Sequence, residues 1–357
     1  MRTEGAGGAR RCAPVRLSLL DRSRTRAGHP DGAALHDTIA RARHAEELGL
    51  HRFWVAEHHG VPGVASGSPP VLPAAVGAAT SSIRLGSGGV MLPHHQPLVV
   101  AEQFRMLDAL HPGRIDLGVG RSLGFTAPVR RALRHDPVPG SGSGSGSDVD
   151  AVFAAGADAF AADVEELRAH LDGTSEVTVR PATGRTIPLH VLATGRGLLL
   201  AARLGLPVVV GGPVLASADV GDALAAYRSQ FRPHPGGPEH PRVTISLDAF
   251  VADDAAEARE LALPEAHAMA LSRTTGEFGP LQSPTLLRAE AWPEQVRRRV
   301  EAHLDQTLAG TAPQVRAALE ELVERTGAEE VLASTSTWDH AALLEADRAL
   351  AAAVLGS

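Results

Sequence analysis

The fold is decided by RFWVAEHH (Arg52–His59), IRLGSGGVMLPHHQPL (Ile83–Leu98) and GRIDLGVGRS (Gly113–Ser122). Each segment contains a short apolar run that ends in histidine, glycine or arginine, which are poorly suited to a core. Alanine-rich stretches with helical spacing separate the three segments. Strands that end in polar, glycine-rich residues and alternate with helices predict a parallel sheet whose carboxyl ends carry the functional site.

The same alternation extends outward in both directions from these segments. It begins at VRLSLLD (Val15–Asp21), reaches an eighth predicted strand at Glu330–Ser334, and ends in a helix over His340–Leu355. Eight strand–helix units in strict order favour a (β/α)8 TIM barrel over an open doubly wound sheet. We therefore predict an α/β chain with one barrel domain over residues 15–357.

Two insertions interrupt the predicted barrel, one after strand 4 and one after strand 7. The first contains a Gly/Ser run at Pro137–Asp148 that has no side chains to bury and is expected to be flexible. The second, Pro264–Gly310, follows a predicted seventh strand over Val243–Ala252 and a helix over Asp253–Leu263. It is expected to carry helical pieces at Ala266–Ser272 and Trp292–Ala309, and a small hairpin is expected within Thr174–Thr186.

Composition excludes several classes of protein. The formal net charge of −7 argues against a nucleic-acid backbone as partner, since such a partner requires a basic face. The single cysteine, Cys12, lies in a predicted disordered leader, residues 1–14, and fits a reducing cytosol. The leader has no apolar core typical of a secretory signal, and no apolar run reaches the roughly 20 residues that span a bilayer. We expect a cytoplasmic protein without membrane contact.

A phosphate site is one interpretation of two polar segments at the strand ends. Thr194-Gly195-Arg196-Gly197 connects a strand to a helix, so its backbone N–H groups and the helix dipole favour an anion. Arg121, followed by Ser122, ends the fourth strand and could reach the same phosphate. The alternative is that the glycines only make a tight turn. A dinucleotide fingerprint at Gly118 is unlikely on spacing, because its third glycine is replaced by Leu123.

The histidine pairs His58-His59 and His94-His95 invite a metal hypothesis. Adjacent residues on a strand point to opposite sides, and no carboxylate at ligand spacing accompanies the pairs, so we predict no metal. These histidines could instead take part in acid–base chemistry or donate a hydrogen bond to a cofactor. The alternative is that they are ordinary surface or core histidines. Gly88-Gly89 permits close approach of a flat ring, unless it forms a simple bulge.

Taken together, WVAEHH, RLGSGGVMLPHHQPLVVAEQ and LHPGRIDLGVGRS resemble the flavin-dependent luciferase-like monooxygenase family, in particular its single-chain branch found in natural-product clusters. The resemblance extends from Val15 to about Leu344. It implies a barrel that holds reduced flavin at the strand ends, with Pro264–Gly310 as a mobile lid that excludes water.

The resemblance also implies roles for single residues. His58, next to Glu57, matches the candidate catalytic histidine, and Gly88–Gly89 matches the place where relatives often have a non-proline cis peptide behind the flavin ring. The residues matching the flavin-phosphate contacts are Arg121, with its neighbour Ser122, and the loop Thr194, Gly195, Arg196, Gly197.

The leading hypothesis is a monooxygenase of secondary metabolism that uses O2 and reduced FMN (FMNH2) from a separate flavin reductase to oxygenate a small organic substrate. A homodimer through the helices near units two and three is expected. One alternative is an F420-dependent hydride-transfer enzyme with the same rim. Another is a catalytically silent flavin-binding protein, because Gly211-Gly212-Pro213 lacks the histidine and aromatic residue of many relatives.

Overall fold

The computed structural model describes residues 15–122, 126–133 and 146–356. A closed barrel of eight parallel strands lies at its centre, as predicted from the alternation of elements. The third barrel strand consists of two parts, and the pairing of Leu85 with Ile115 closes the barrel. The strands are β1 (Arg16–Asp21), β2 (Arg52–Val55), β3 (Arg84–Ser87), β4 (Val90–Met91), β5 (Ile115–Gly120), β6 (Leu189–Leu192), β7 (Val208–Gly211), β8 (Val243–Leu247), β9 (Ala249–Val251), β10 (Leu308–Gly310) and β11 (Glu330–Ala333).

The helices surround this barrel. They are α1 (Ala33–Glu47), α2 (Val71–Ala79), α3 (Pro97–Leu110), α4 (Ala127–Ala132), α5 (Gly146–Asp172), α6 (Arg196–Leu204), α7 (Val220–Gln230), α8 (Ala255–Thr275), α9 (Pro284–Ala289), α10 (Glu294–Gln306), α11 (Ala312–Thr326) and α12 (His340–Leu355). Local chemistry sets several ends: Pro97 begins α3, and the Asp339 carboxylate accepts from two N–H groups of the first turn of α12. Among the described helices, none is long and apolar enough to cross a membrane.

The barrel strands are buried almost without interruption, which is typical of parallel sheets covered on both faces. One set of apolar side chains packs outward against the helices. A smaller set fills the barrel interior, with Leu20, Trp54, Val209 and Leu332 among its members. The carboxyl ends of the barrel strands are here called the rim. The interior side chains lie directly beneath it.

The insertion after the seventh barrel strand differs from the prediction. The predicted strand Val243–Ala252 divides at Asp248, because β9 leaves the barrel and pairs with β10, whose residues were expected to be helical. The helix expected to end at Leu263 continues through Pro264 to Thr275 as α8. Apolar residues of α8 and α10 form a separate core, and this packing outweighs the hydrogen bond that proline removes.

One further prediction is wrong, and two predicted segments lie wholly or partly outside the described residues. Residues 174–186 contain no strand, so the hairpin prediction is wrong: Arg105 of α3 holds this segment by donating to the Thr183 hydroxyl (3.0 Å) and to the Arg185 carbonyl (2.5 Å). Part of the Gly/Ser run and the whole leader, residues 1–14, lie outside the described residues, whereas 146–148 already belong to α5.

Candidate active site

Glu57 is the centre of a hydrogen-bond network at the rim. Its Oε1 accepts from Nε2 of His59 (2.6 Å) and from Nε2 of His95 (2.7 Å), and its Oε2 accepts from the Met91 N–H (2.8 Å). Burial alone would raise the pKa of Glu57, but these hydrogen bonds outweigh it and lower the pKa to about 2. The ionised carboxylate thus joins the end of β2 to β4 and to the segment that follows β4.

This network was not predicted from the sequence. His95 lies 38 residues from Glu57, and only the folded chain brings the two together. One carboxylate oxygen of Glu57 and one imidazole nitrogen each of His59 and His95 lie within 4.8 Å of one another, a spacing at which a metal ion could be held, although the sequence spacing had argued against one. Because Glu57 already accepts hydrogen bonds from both imidazoles, we assign the network a positioning role.

His58 follows Glu57 directly, beyond the end of β2. Its backbone N–H donates to the Ser66 carbonyl (3.0 Å), and its side chain is half-buried. Burial is the main cause that lowers the pKa of His58 to about 4, followed by the positive charges of Arg22 and Arg24. His58 is therefore a neutral imidazole at neutral pH.

A group of buried charges connects the rim to the lid segment, residues 264–310. Glu265 of α8 accepts from Arg22 (3.0 Å) and from Arg24 (2.8 Å), and Arg22 also donates to Asp248 (2.8 Å). The Arg24 guanidinium lies over the Phe278 ring, 4.0 Å from its centroid. We call Arg22, Arg24, Asp248 and Glu265 the lid cluster. The sequence offered no signal for it beyond the polar run after β1.

The Gly88–Gly89 peptide is cis, as the resemblance implies, and it lies between the two parts of the third barrel strand. A Cβ at Gly88 would lie 2.7 Å from Cδ1 of Leu20 and 3.1 Å from Trp54, whereas a Cβ at Gly89 would lie 2.8 Å from the Gly118 carbonyl oxygen. Both glycines therefore allow a close approach that a side chain would prevent.

This packing predicts the effect of Gly89→Ala. The new methyl group would press on backbone of β5 that cannot rotate away, so we expect a loss of about 1–3 kcal/mol in the free energy of unfolding. The matched control is Gly120→Ala: among the described residues its Cβ would meet only Cβ of Leu192, at 3.9 Å, so it should change stability little. Urea unfolding followed by circular dichroism measures both. Equal stability of the two variants would contradict this account.

The residues that are predicted to bind a phosphate follow two neighbouring strands. Val119 pairs with Val191, so Arg121, just beyond β5, lies beside the loop that starts at Thr194 beyond β6. Thr194, Gly195, Arg121 and Ser122 are all exposed. Helix α6 starts at Arg196, with no side-chain cap and no acidic residue in its first turn. The Arg196 side chain lies outside what the structure describes. An exposed, uncapped helix N-terminus beside an arginine fits a phosphate group.

A cavity of about 550 Å³ opens at the rim between the ends of β7 and β8 and the lid segment. Its walls include Gly211, Gly212 and Pro213 on one side and Met269 and His303 on the other. Gly211-Gly212-Pro213 is the segment in which the resemblance implies a missing histidine and aromatic residue.

Comparison with known proteins adds to this geometry. The family model described as luciferase-like monooxygenase matches residues 15–137 and 149–330. The chain belongs to the luciferase-like monooxygenase family. A luciferase-like monooxygenase of Escherichia coli (strain K12) is 34% identical over 334 residues, which cover 92% of this chain and 94% of that protein.

Two further proteins are similar to this chain. The crystal structure of apo-MsnO8 is 31% identical, covers 96% of this chain and 98% of its own, and superposes with a TM-score of 0.81. The N-acetyl-S-alkylcysteine monooxygenase of Bacillus subtilis (strain 168) is 52% identical over 110 residues, which are 31% of this chain and 33% of that protein.

Solved structures of lower identity share the fold of this chain, and they include proteins that bind each of the two predicted cofactors. The oxygenating constituent of 3,6-diketocamphane monooxygenase from Pseudomonas putida, in complex with FMN, has 16% identity, a TM-score of 0.70 and coverage of 97% and 99%. An F420-dependent secondary alcohol dehydrogenase has 16% identity, a TM-score of 0.67 and coverage of 96% and 99%. The barrel alone therefore does not distinguish the two cofactors.

Proposed function

We propose that this protein is an FMN-dependent monooxygenase that oxygenates a small organic substrate with O2, in secondary metabolism and in the cytoplasm. One observation carries the proposal: in a chain of this family, three features follow neighbouring strands at one rim. They are neutral His58 after β2, the Gly88–Gly89 peptide between β3 and β4, and Arg121 after β5, beside the loop that starts at Thr194. When bound, reduced FMN would supply the two electrons with which one oxygen atom of O2 enters the substrate and the other leaves as water. A separate flavin reductase would supply the reduced FMN.

The residues present fit this cofactor at both of its ends. A flat ring system would lie against the Gly88–Gly89 peptide, which packs closely on Leu20 and on the Gly118 backbone, while Glu57 holds the following segment by accepting from the Met91 N–H. Arg121, Ser122 and the loop from Thr194 to Gly197 would hold the phosphate. His58, neutral at neutral pH, would hold or move a proton at its imidazole beside the ring.

Oxygen consumption tests this proposal. Purified protein supplied with reduced FMN should consume O2 and convert a member of a panel of small molecules, of which N-acetyl-S-alkylcysteines are the first to try. Mass spectrometry with ¹⁸O2 should then show one labelled oxygen atom in the product. Product without the label, or no product across the panel, would count against a monooxygenase.

F420-dependent hydride transfer is the second candidate, because a structure with this cofactor superposes on the chain almost as well as one with FMN. Such an enzyme would need no O2 and would oxidise or reduce its substrate without adding oxygen. Anaerobic turnover with F420 would favour this candidate.

Arg121→Gln should weaken binding of reduced FMN about tenfold or more, because a charge-assisted hydrogen bond to phosphate contributes roughly 1.5–3 kcal/mol. The substitution should leave binding of reduced riboflavin, which has no phosphate, nearly unchanged. Anaerobic fluorescence titration of both flavins measures this. If the two affinities fell together, Arg121 would act on the ring site or on the fold, and the phosphate assignment would be wrong.

The proposal includes a homodimer that uses α3. Val99, Met106 and Leu110 lie on one face of this helix, at spacings of seven and four residues, and are 41%, 55% and 65% exposed. An exposed apolar row of this kind is typical of an interface. Val71 of the neighbouring α2 is also exposed.

Met106→Glu/Leu110→Glu should therefore give a monomer in size-exclusion chromatography with light scattering, while the unsubstituted protein is a dimer. Leu286→Glu is the matched control, since Leu286 is 61% exposed on α9, away from this face. A dimer that persists in the double variant would place the interface elsewhere.

A further inference from the structure

The mouth of the barrel opposite the rim contains a cavity that the proposed function does not use. We call it the amino-terminal cavity; its volume is about 370 Å³, within the range of small-molecule sites. It lies where β1, β2, β3 and β6 begin, and its lining includes five arginines: Arg16, Arg52, Arg84, Arg168 and Arg242. In TIM barrels this mouth usually contributes to stability, so a cavity of this composition requires an explanation.

The charges around the amino-terminal cavity are positive in sum, although the whole chain has a net charge of −7. Five guanidiniums face four carboxylates: Asp116 and Asp172, which line the cavity, and Glu329 and Glu330, which pair with its arginines. Arg16 and Arg242 share the single carboxylate of Glu329, each at 3.3 Å. Within the described part of the chain, Arg168 forms no ion pair and donates to the Leu204 carbonyl (2.8 Å).

Two of these arginines already converge on an acceptor. Nε2 of His51 accepts from Nη2 of Arg52 (3.0 Å) and lies 3.4 Å from Nη1 of Arg16. Burial, followed by the charges of Arg52 and Arg16, lowers the pKa of His51 to about 4, so this acceptor is uncharged at neutral pH. Two cationic donors that share one neutral nitrogen would bind an anion more strongly.

His190 points to the same cavity from the barrel interior. It lines the cavity, is only 7% exposed, and packs against Trp54 with ring centroids 5.1 Å apart. Burial and the charge of Arg52 lower the pKa of His190 to about 3, although a backbone hydrogen bond with Pro188 acts in the opposite direction. The imidazole is therefore neutral and can offer a hydrogen bond to a ligand in the cavity.

We propose that the amino-terminal cavity is a second binding site, which takes the phosphate group of a small phosphorylated metabolite. Arg16, Arg52 and Arg242 would donate to the phosphate oxygens at the mouth. A groove of about 620 Å³ continues outward past Arg168 and Asp172 and offers room for the organic part of such a ligand. This proposal is independent of the flavin site, which lies at the other end of the strands.

The experiment is isothermal titration calorimetry with inorganic phosphate, AMP and adenosine. We expect saturable binding of phosphate and AMP and none of adenosine. Tighter binding of AMP than of phosphate would indicate an organophosphate ligand, and equal binding would indicate free phosphate; both outcomes support the site.

The decisive variant is Arg16→Gln/Arg242→Gln, which should weaken binding of phosphate and AMP about tenfold or more, since each arginine loses a charge-assisted bond. Both side chains and their partner Glu329 are about half exposed, so the fold should persist. Arg168→Gln provides a second, independent test. Exposed Arg203→Gln is the control for loss of charge and should not change the affinity. Arg121→Gln removes the contribution of the rim, so the binding that persists in this variant belongs to the amino-terminal cavity. Absence of saturable binding, or equal affinity in the double variant, would overturn the proposal.

Discussion

Replacing His58 with alanine is expected to lower kcat about 10²–10⁴-fold, the usual contribution of a positioned proton-transfer group. The affinity for reduced FMN should change little, because we propose that Arg121, the loop from Thr194 to Gly197 and the Gly88–Gly89 peptide make most contacts to the cofactor. Steady-state kinetics on a substrate identified from the panel, combined with an anaerobic flavin titration, measures both quantities.

Two further measurements define what His58 does. His58→Gln keeps a hydrogen-bonding side chain but cannot transfer a proton, so full activity in this variant would assign hydrogen bonding alone. The pH dependence of kcat/KM is the second measurement. With a pKa of about 4, His58 stays neutral as pH falls through 6.5, and the acid limb of kcat/KM should lie near pH 4. An acid limb near 6.5, or alanine activity equal to that of the unsubstituted protein, would contradict the assignment.

Glu265→Ala is expected to have the largest effect on stability, a loss of about 3–5 kcal/mol in the free energy of unfolding, because it leaves buried arginines without their carboxylate. Arg22 would keep Asp248, but Arg24 would keep only carbonyl groups and the Phe278 ring. Hydrogen exchange should also increase in α8. Urea unfolding and hydrogen-exchange mass spectrometry measure the two effects.

The matched control is Glu301→Ala. Glu301 pairs with Arg259 on the exposed side of the insertion, at side-chain exposures of 57% and 40%, so its loss should cost at most about 1 kcal/mol. If the two variants were equally stable, the lid cluster would not hold α8 to the barrel.

The barrel was predictable from the sequence because each buried strand is a short apolar run followed by a change in chemistry. Where a strong local signal marks a boundary, the agreement reaches the residue. The helix predicted over His340–Leu355 has these same bounds as α12, and the Asp339 carboxylate caps its first turn. Pro264 shows the opposite case: a residue that usually ends a helix lies inside α8, because packing against α10 decides the local structure.

The contacts between distant residues in the site could not be predicted. Strand alternation predicts that His58 and His59 face different directions, but nothing in the spacing predicts that His59 and His95 meet at Glu57. The partners Arg22 and Glu265 are separated by 243 residues, and each alone resembles an ordinary surface charge. Such pairs depend on the closed barrel and on where the lid segment packs, which periodicity does not encode.

The central claim is that the rim binds reduced FMN, and an anaerobic equilibrium titration of the purified protein with reduced FMN and with reduced F420 tests it most directly. The account predicts saturable binding of reduced FMN, tighter than that of reduced F420 and weakened by Arg121→Gln. Tighter binding of reduced F420, or no binding of reduced FMN, would contradict it.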